Sequence, residues 1–326
     1  MKHIFLIDPI ELLNIKKDSS LHLALTMQSL AKEMNVQQFS AYLLFKNDFY
    51  LLNHHQFQLS GFEFSGEFDQ DFYIENFSLG QKVKFKLEQQ DTIHFRLDPP
   101  FDEVYSRILW MLRMMEENGV KVLNSPAGIL KNNEKILAYQ CENSLPSYIG
   151  SNIEGALSFR DELLKMKTEF VIFKPMDMFQ GMGVRKVSIE LDDYTQAFNE
   201  SLVTFKQMFI IQPFNEQVKN GEIRAVYFMG EHVGSILKVP AANDFMANIA
   251  RGASFRSYDL STKLEIQLRE YSQNLMQEGI NWIAFDVMGE YISEVNITCP
   301  GLMVELCKAH KKNLSRVLAK KLLSTL

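Results

Sequence analysis

Three oxygen-bearing side chains near the carboxyl end of the chain lie on one predicted β-hairpin. Asp286 is on the first strand, and Glu294 and Asn296 are two residues apart on the second, after a turn at Gly289. Residues two apart on a strand share a face, and Asp286 lies at a matching height across the turn. Carboxylate and amide oxygens suit a Mg²⁺ ion that also contacts substrate phosphates. The spacing therefore predicts a magnesium site, with a solvated face of an edge hairpin as the alternative.

Two lysines are candidates for contact with phosphate groups. Lys174 ends an apolar strand, Val171 to Phe173, and precedes Pro175 and a loop. Lys135 lies in a short polar segment of a predicted helix. An ammonium group at a strand end beside a loop could bind a phosphate as a point charge. The alternative is that both lysines extend into solvent, as most lysines do.

A strand end and an arginine provide two further candidate contacts. Gln212, Pro213 and Phe214 follow an apolar strand, and the backbone edge there is partly free because proline has no N–H. Free backbone groups beside apolar side chains are what an adenine ring needs. Arg224 lies within a predicted strand, where its guanidinium could bind a carboxylate or phosphate through two bonds. An ordinary strand end and an outward-facing arginine are the alternatives.

The N-terminal part of the chain has the alternating strands and helices of an α/β domain. An apolar run at 1–8 predicts a buried strand, and Ser19 or Ser20 could cap a helix that continues to Met34. Strands are predicted within 39–59 and at 92–95 and 121–123, with a helix from 103 to 119. Asn124-Ser125-Pro126 is the predicted domain boundary, because proline disfavours continued regular structure.

The remaining two thirds of the chain are predicted to contain both helices and paired strands. Hairpins turn at 229–231 and at Gly289, and proline and glycine residues separate the other elements. The predicted helices are at 131–140, 152–166, 193–206 and 261–277 and from 302 onward, and the predicted strands are at 170–175, 183–189, 208–212, 282–287 and 291–297.

The composition places the chain among ordinary soluble globular proteins. Its 326 residues are 46% hydrophobic, and this length allows about two domains or three small ones. A net charge of −6 without long basic runs argues against nucleic acid as a partner, and no apolar run is long enough for a signal peptide or membrane span. Three scattered cysteines suit a reducing compartment. We therefore expect a cytoplasmic protein.

Several segments together resemble the bacterial-type glutathione synthetases of the ATP-grasp superfamily, along essentially the whole chain. The matching segments are Asp8-Pro9, Asn14 to Ser20, Arg96 with Asp98 to Asp102, Asn133 to Lys135, Lys174-Pro175, Arg224, and Asp286 with Glu294 to Thr298. The resemblance implies an α/β ATP-grasp fold. Its parts would be a Rossmann-like pre-ATP-grasp domain at 1–123, a small lid at 124–200 and a C-terminal α+β domain at 201–326.

The resemblance also implies roles for individual residues. Lys135 and Lys174 would contact the ATP phosphates, and Gln212, Pro213 and Phe214 would face adenine. Asp286, Glu294 and Asn296 would bind Mg²⁺, and Arg224 would be catalytic. The substrate-binding residues would be Lys17, Asp18, Ser19, Arg224, Asn248 and Arg251. The implied reaction is ATP-dependent joining of γ-glutamylcysteine to glycine through an acyl phosphate, by a dimer or tetramer without membrane association.

Two departures from the family pattern leave the substrate open. The lid loop reads Asp177-Met178-Phe179-Gln180-Gly181 where the family has Asp-Gly-Met-Gly-Gly. In a loop at 241–253, which we expect to be a mobile cover, Met246 stands where the family has an arginine, and Arg251 is close enough in sequence to take over its role. The alternatives are a glutathione synthetase, an ATP-grasp ligase with a changed substrate, and a nucleotide-binding protein with little catalysis. The complete set of metal ligands argues against the third.

Overall fold

The computed structural model describes residues 1–52, 57–178, 180–205 and 208–324. Its elements in the N-terminal part are β1 (Lys2–Ile7), α1 (Ser19–Glu33), β2 (Ser40–Phe45), β3 (Gln58–Phe68), β4 (Ile74–Lys86), β5 (Thr92–Arg96), α2 (Glu103–Glu117) and β6 (Lys121–Leu123). In the middle are α3 (Pro126–Lys131), α4 (Glu134–Tyr139), β7 (Tyr148–Gly150), α5 (Ile153–Lys165), β8 (Phe170–Pro175), β9 (Arg185–Ser188), α6 (Leu191–Thr204) and β10 (Phe209–Pro213). The rest comprises β11 (Glu222–Phe228), β12 (Glu231–Val239), β13 (Ser254–Ser257), α7 (Thr262–Gln277), β14 (Trp282–Met288), β15 (Tyr291–Asn296), α8 (Met303–His310) and α9 (Ser315–Ser324).

The first sheet is centred on β1 and has the strand order β4-β3-β2-β1-β5-β6. Strand β1 is parallel to β2 and β5, and β5 is parallel to β6. The side chains of β1 alternate between two hydrophobic cores: Ile4 and Leu6 pack with α2, whereas Phe5 and Ile7 pack with α1. This burial on both faces explains the unbroken apolar run and confirms the predicted α/β class.

The strands predicted within 39–59 are wrong in detail. Strand β2 ends at Phe45, and β3 and β4 form a long antiparallel hairpin between Gln58 and Lys86. Strand β4 is at the edge of the sheet, and most of its side chains are exposed. It therefore carries many polar residues and lacks the apolar run by which a buried strand is recognised.

The second sheet is antiparallel, with the strand order β7-β10-β8-β9. Its core is aromatic and includes Phe173, Tyr194, Phe198 and Phe209, contributed by β8, α6 and β10. Strand β10 follows residue 200 and pairs with β8, so this sheet takes strands from both sides of the predicted division at 200. The division of the chain at 123 and 200 stays a prediction.

The third sheet is also antiparallel and has the strand order β13-β12-β11-β14-β15. Arg224 on β11 lies opposite Asp286 on β14, and Asp286 lies opposite Glu294 on β15. Asn296 pairs with Ala284, two residues along the same strand as Asp286. The register thus places these polar side chains at adjoining positions across three neighbouring strands, and it confirms the predicted hairpin.

Two predicted helices differ from the structure in their bounds. The first, predicted at 131–140, corresponds to α4, which begins after Asn133, where the side chain of Asn133 accepts hydrogen bonds from the N–H groups of Lys135 and Ile136. This cap begins a new helix. The second, from 302, is interrupted at Lys311, which has a φ of 51°. No helix in the described part of the chain is long and apolar enough to cross a membrane.

A buried histidine pair in the first sheet predicts a loss of stability in mild acid. His3 Nδ1 lies 2.9 Å from His94 Nε2, and burial lowers the pKa of His3 to about 4 and that of His94 well below its ordinary value. The unfolded state, with histidine pKa values near 6.5, binds more protons below that pH, so the free energy of unfolding should fall between pH 6.5 and about 4. Urea denaturation gives the free energy of unfolding at each pH in this range. Plotted against pH, it should fall less steeply for His3→Phe/His94→Phe than for the wild type. Equal slopes would contradict the prediction.

Candidate active site

One cavity of about 690 Å³ brings the predicted site residues together. Its wall is formed by all three sheets and by the segment before α1. The predicted site residues that line it are Lys17, Asp18, Ser19, Lys135, Lys174, Gln212, Pro213, Phe214, Arg224, Asn248, Asp286, Glu294 and Asn296. Arg251 does not line the cavity. Its side chain is half exposed, and its Nε donates to Asp244 Oδ2 over 2.6 Å.

The carboxylate of Asp286 is the centre of a buried charge network. Its Oδ1 accepts hydrogen bonds from Arg224 Nε at 2.8 Å and Lys238 Nζ at 2.9 Å. Its Oδ2 accepts from Arg224 Nη2 at 2.6 Å and Asn296 Nδ2 at 3.1 Å. Burial alone would raise the pKa of Asp286, but the positive charges of Arg224 and Lys238 lower it well below its ordinary value. Asp286 is therefore ionised and paired with two cations.

These four bonds decide how the predicted metal ligands can act. A carboxylate has about four lone-pair sites, and the contacts to Arg224, Lys238 and Asn296 use all four of Asp286. Glu294 contacts Lys135 through Oε1 only, and its Oε2 has no hydrogen-bond partner within the described chain. No group of three His, Cys, Asp or Glu side chains in the described ranges forms a metal site. Two carboxylates and an amide fit Mg²⁺ when phosphate oxygens complete its coordination, provided that one partner of Asp286 moves.

Lys238 is a site residue that the sequence analysis missed. Its ammonium is 6% exposed and lies 2.7 Å from Glu222 Oε2 as well as 2.9 Å from Asp286 Oδ1. Burial lowers the pKa of Lys238, but Asp286 and Glu222 outweigh this effect and raise it. The available signal was a lysine within the apolar strand β12, between Leu237 and Val239. A charged residue in such a strand indicates a buried ion pair.

Lys174 and Lys135 differ in how their charges are balanced. No carboxylate in the described ranges lies within ion-pair distance of Lys174, whose ammonium is 5.7 Å from the centre of the Tyr139 ring. Burial lowers the pKa of Lys174 to about 8; Glu294 and Glu222 act in the opposite direction, and Lys135 acts in the same direction as burial. Lys135 Nζ instead lies 3.1 Å from Glu294 Oε1 and 2.6 Å from the carbonyl oxygen of Met178. A largely desolvated ammonium without a counter-ion in a cavity fits an anionic phosphate chain.

The lid loop is attached to its surroundings through backbone carbonyl groups. The carbonyls at 176, 177, 178 and 180 accept from Asn133 Nδ2, the N–H of Phe101, Lys135 Nζ and Asn248 Nδ2, respectively. Phe179, which departs from the family pattern, lies outside the described residues. These contacts do not depend on the loop's side chains, so the glycine-poor sequence is compatible with this position of the loop.

Met246 contacts the lid loop where the family pattern has arginine. Gly181 has a φ of 74°, and a Cβ atom placed there would come within 2.9 Å of Met246 Sδ. The loop at 241–253 therefore packs against the lid loop through Met246 and is hydrogen-bonded to it through Asn248. An apolar side chain at this contact provides no charge for a substrate carboxylate.

The segment predicted to face adenine is partly used by the sheet. The N–H of Phe214 donates to the carbonyl of Phe170 over 2.8 Å, so it is not free for a ligand. Strand β7 pairs with β10 from Phe209 to Ile211. The backbone edge of β10 beyond Ile211 is therefore open on that side. The Gln212 side chain donates to Ser147 Oγ over 2.8 Å. The free edge expected at Pro213 is therefore present, whereas the N–H of Phe214 is already bonded within the sheet.

The residues before α1 form a separate part of the cavity wall. Asp18 caps α1 by accepting from the N–H of Leu21 over 2.8 Å, and Ser19 Oγ accepts from the N–H of Met303 over 3.1 Å. Nearby, burial raises the pKa of Asp98 to about 6. Lys17 Nζ lies 3.6 Å from Glu305 Oε1. This wall carries charges of both signs.

Solved structures with the same fold are ligases. D-cycloserine synthetase DcsG is 13% identical, with a TM-score of 0.65 over 98% of this chain and 99% of that chain. D-alanyl-alanine synthetase A of Vibrio cholerae is 13% identical, with a TM-score of 0.59 over 100% of this chain and 98% of that chain. These likenesses show the fold. Residues 134–311 match a family model of an ATP-grasp domain, so the chain is an ATP-grasp ligase, a class that uses ATP and Mg²⁺.

The sequence comparisons identify the family. Residues 1–129 match the N-terminal domain of prokaryotic glutathione synthetase, and residues 134–311 match its ATP-grasp domain. The chain belongs to the prokaryotic glutathione synthetase family. A glutathione synthetase of Prochlorococcus marinus is 27% identical over 99% of both chains, and one of Wigglesworthia glossinidia brevipalpis is 26% identical over 96% of this chain and 94% of the relative.

Removing the charge of Asp286 should destabilise the fold. Asp286→Asn leaves Arg224 without a counter-ion in a buried network and leaves Lys238 with Glu222 alone, and we expect the free energy of unfolding to fall by about 3 kcal/mol. Urea denaturation at pH 7 measures this change. The double variant Asp286→Asn/Arg224→Met should recover part of the loss, because it removes the cation that Asp286→Asn leaves unpaired. A double variant as unstable as the sum of its single changes would contradict the network.

Lys174 should make nucleotide binding depend on pH. Because its pKa is lowered to about 8, Lys174 loses its charge as the pH rises through that value, and affinity for a non-hydrolysable ATP analogue should fall there. Lys174→Met should weaken binding about tenfold at pH 7 and remove this pH dependence. Calorimetric titration from pH 7 to 9 tests both effects. Lys165→Met, on an exposed face of α5, is the control, and equal affinities of the two variants would contradict the role of Lys174.

Proposed function

We propose that the protein is a glutathione synthetase, which joins γ-glutamylcysteine to glycine and converts ATP to ADP and phosphate. The observation that carries the proposal is the match to glutathione synthetase over both domains, with relatives of that name covering up to 99% of this chain. The cavity supports it, because its cations come from separate elements that can hold a nucleotide and a peptide side by side.

The proposed reaction has two steps. The peptide carboxylate attacks the γ-phosphorus of ATP, and ADP leaves, which forms an acyl phosphate. The amine of glycine then attacks the acyl carbon, phosphate leaves, and the amine proton passes to solvent or to a cavity base. Neither step needs a nucleophilic side chain, so the protein contributes positioning and charge stabilisation.

The cavity residues have distinct proposed tasks. Lys174 and Lys135 bind the phosphates. To do so, the ammonium of Lys135 gives up its hydrogen bond to the Met178 carbonyl or donates to the carbonyl and a phosphate at once. Arg224, held in orientation by Asp286, stabilises negative charge on the peptide carboxylate and the transferred phosphoryl group. Glu294, Asn296 and Asp286 would hold Mg²⁺, which supplies charge neutralisation at the phosphates.

A second candidate function is ligation of a different substrate pair. The specific observation in its favour is Met246, which packs against Gly181 where the family pattern has an arginine. Arg251 does not replace that arginine here, because it pairs with Asp244 outside the cavity wall. Under this alternative, the enzyme would still form an acyl phosphate but would accept a peptide or amine without the carboxylate that an arginine would bind.

The cytoplasmic location and the dimer or tetramer implied by the resemblance also stay predictions. Free Cys141, Cys299 and Cys307 are compatible with a reducing compartment. Sedimentation of the purified protein would measure its oligomeric state.

Product analysis tests the proposed function. Purified protein receives ATP and Mg²⁺ with γ-glutamylcysteine and glycine, together and separately, and ADP and glutathione are quantified. We expect one glutathione per ADP, and only with both substrates present. ADP formation with γ-glutamylcysteine but no glutathione would favour the second candidate, and no ADP under any condition would contradict both.

Glu294 should be required for turnover and not for folding. Glu294→Gln removes the charge that contacts Lys135 and that is proposed to bind the metal, and we expect kcat to fall by about 100-fold. The matched control is Glu290→Gln, an exposed position in the turn of the same hairpin. Unfolding midpoints of both variants are measured alongside. If Glu294→Gln turns over as fast as the control, the hairpin is not part of the active site.

A further inference from the structure

Three methionine side chains line the cavity where two loops meet. Met178 belongs to the lid loop, Met182 follows it, and Met246 belongs to the loop at 241–253. Met178 is 37% exposed and Met182 is 45% exposed, and Met246 is half-buried at the cavity wall. The thioether sulfur of methionine is converted to a sulfoxide by oxidants that reach it. Because all three side chains border the cavity, a molecule as small as hydrogen peroxide can reach them.

Met246 differs from the other two methionines because its sulfur lies at the contact between the loops. A Cβ atom placed on Gly181 would come within 2.9 Å of Met246 Sδ and 3.6 Å of Met246 Cε. The thioether end of Met246 therefore packs against the backbone of the lid loop. Beside this contact, Asn248 Nδ2 donates to the carbonyl of Gln180 over 2.7 Å. An apolar contact and a hydrogen bond thus join the two loops.

The position of the lid loop affects the lysines that are proposed to bind phosphates. The carbonyl of Met178 in the lid loop accepts from Lys135 Nζ over 2.6 Å. Lys174 lies on β8, the strand that leads into the lid loop. The first lysine is thus connected to the lid loop by a hydrogen bond, and the second is connected to it through the chain. A lid loop that moves away from Met246 changes the distances from these ammonium groups to a nucleotide, and the affinity for the nucleotide changes with them.

We propose that Met246 is a site of reversible oxidation by hydroperoxides, and that its sulfoxide separates the two loops. In this reaction a lone pair of Met246 Sδ attacks one oxygen of hydrogen peroxide, the S–O bond forms and the O–O bond breaks. The sulfur is oxidised by two electrons, and the departing hydroxide takes the proton of the transferred oxygen and leaves as water. Methionine sulfoxide reductases reverse the change. This modification lies beyond the proposed function, because it acts on the nucleotide site whichever peptide and amine the enzyme joins.

A sulfoxide at Met246 favours separated loops because it is polar. The thioether of Met246 is apolar, and it gains dispersion contacts from the backbone at Gly181. A sulfoxide oxygen accepts hydrogen bonds, and burying such an acceptor without a donor costs free energy. Water supplies donors once the loops have moved apart. Oxidation of Met246 should therefore shift the lid loop towards an open position and weaken nucleotide binding.

The cysteine in the cavity is a poorer target for peroxide than Met246. Cys299 also lines the cavity, but burial raises the pKa of its thiol well above its ordinary value. The thiolate is the form that reacts with peroxides, so Cys299 should be oxidised slowly at neutral pH. Dithiothreitol distinguishes the two residues, because it reverses disulfides and sulfenic acids and leaves methionine sulfoxide in place.

The test measures nucleotide affinity before and after oxidation. The wild type is treated with hydrogen peroxide, its oxidised methionines are located by peptide mass spectrometry, and a non-hydrolysable ATP analogue is titrated calorimetrically with Mg²⁺. We expect a sulfoxide at Met246 and an affinity lower by about fivefold. Methionine sulfoxide reductase should restore the affinity, and dithiothreitol should not. Met246→Gln, whose amide is polar like the sulfoxide, should lower the affinity without peroxide.

Met246→Leu should have the same affinity before and after treatment, because leucine has no sulfur. The matched control is Met166→Leu, which should lose affinity on treatment as the wild type does, since Met166 is 62% exposed just after α5 and does not line the cavity. An equal loss in Met246→Leu would overturn the proposal, and so would a wild type that keeps its affinity with Met246 oxidised. Oxidation of Met166 while Met246 stays unmodified would also overturn it. None of these measurements requires glutathione formation, so a failure of the proposed function is distinguished from a failure of this one.

Discussion

The four hydrogen bonds to the carboxylate of Asp286 are the interaction on which the rest of the site depends. They fix the guanidinium of Arg224 and the ammonium of Lys238 on neighbouring strands, and they orient the amide of Asn296. Without that carboxylate, Arg224 would lose its counter-ion in a buried position, and Lys238 would keep only Glu222. The antiparallel register of β11, β14 and β15 makes the arrangement possible, because it places Arg224, Asp286 and Glu294 directly opposite one another.

The cavity combines this satisfied network with one lysine, Lys174, that has no carboxylate partner among the described residues. Arg224 and Lys238 are paired, whereas Lys174 has no carboxylate within ion-pair distance in the described chain. A paired cation is held in a fixed orientation, and an unpaired one has its full charge available for a ligand. The second kind of cation is what a triphosphate would contact. Under the proposed function, Asp286 and its partners therefore set the geometry of the site, and Lys174 binds charge.

The sequence predicted those parts of the site that depend on local spacing. The hairpin of β14 and β15 followed from a turn at Gly289 and from the two-residue period of a strand, so the closeness of Asp286 and Glu294 was accessible from the chain alone. Lys238 was missed, because its role depends on the pairing of β12 with β11, which no local pattern specifies. The β3–β4 hairpin was missed for a related reason: an exposed edge strand has no apolar run. Arg251 is held by Asp244, seven residues earlier in the chain. Nothing in the sequence indicates that these two residues pair.

The most direct measurement is a crystal structure of the protein with Mg²⁺ and a non-hydrolysable ATP analogue. Because all four lone-pair sites of Asp286 are used, metal binding by this carboxylate requires that Lys238 or Asn296 move away from it. We expect Mg²⁺ bound to Asp286, Glu294 and Asn296, with one of those two contacts opened beyond about 3.5 Å and with Lys174 on the phosphates. Four intact bonds to Asp286, together with a metal held only by other residues, would contradict this account of the site.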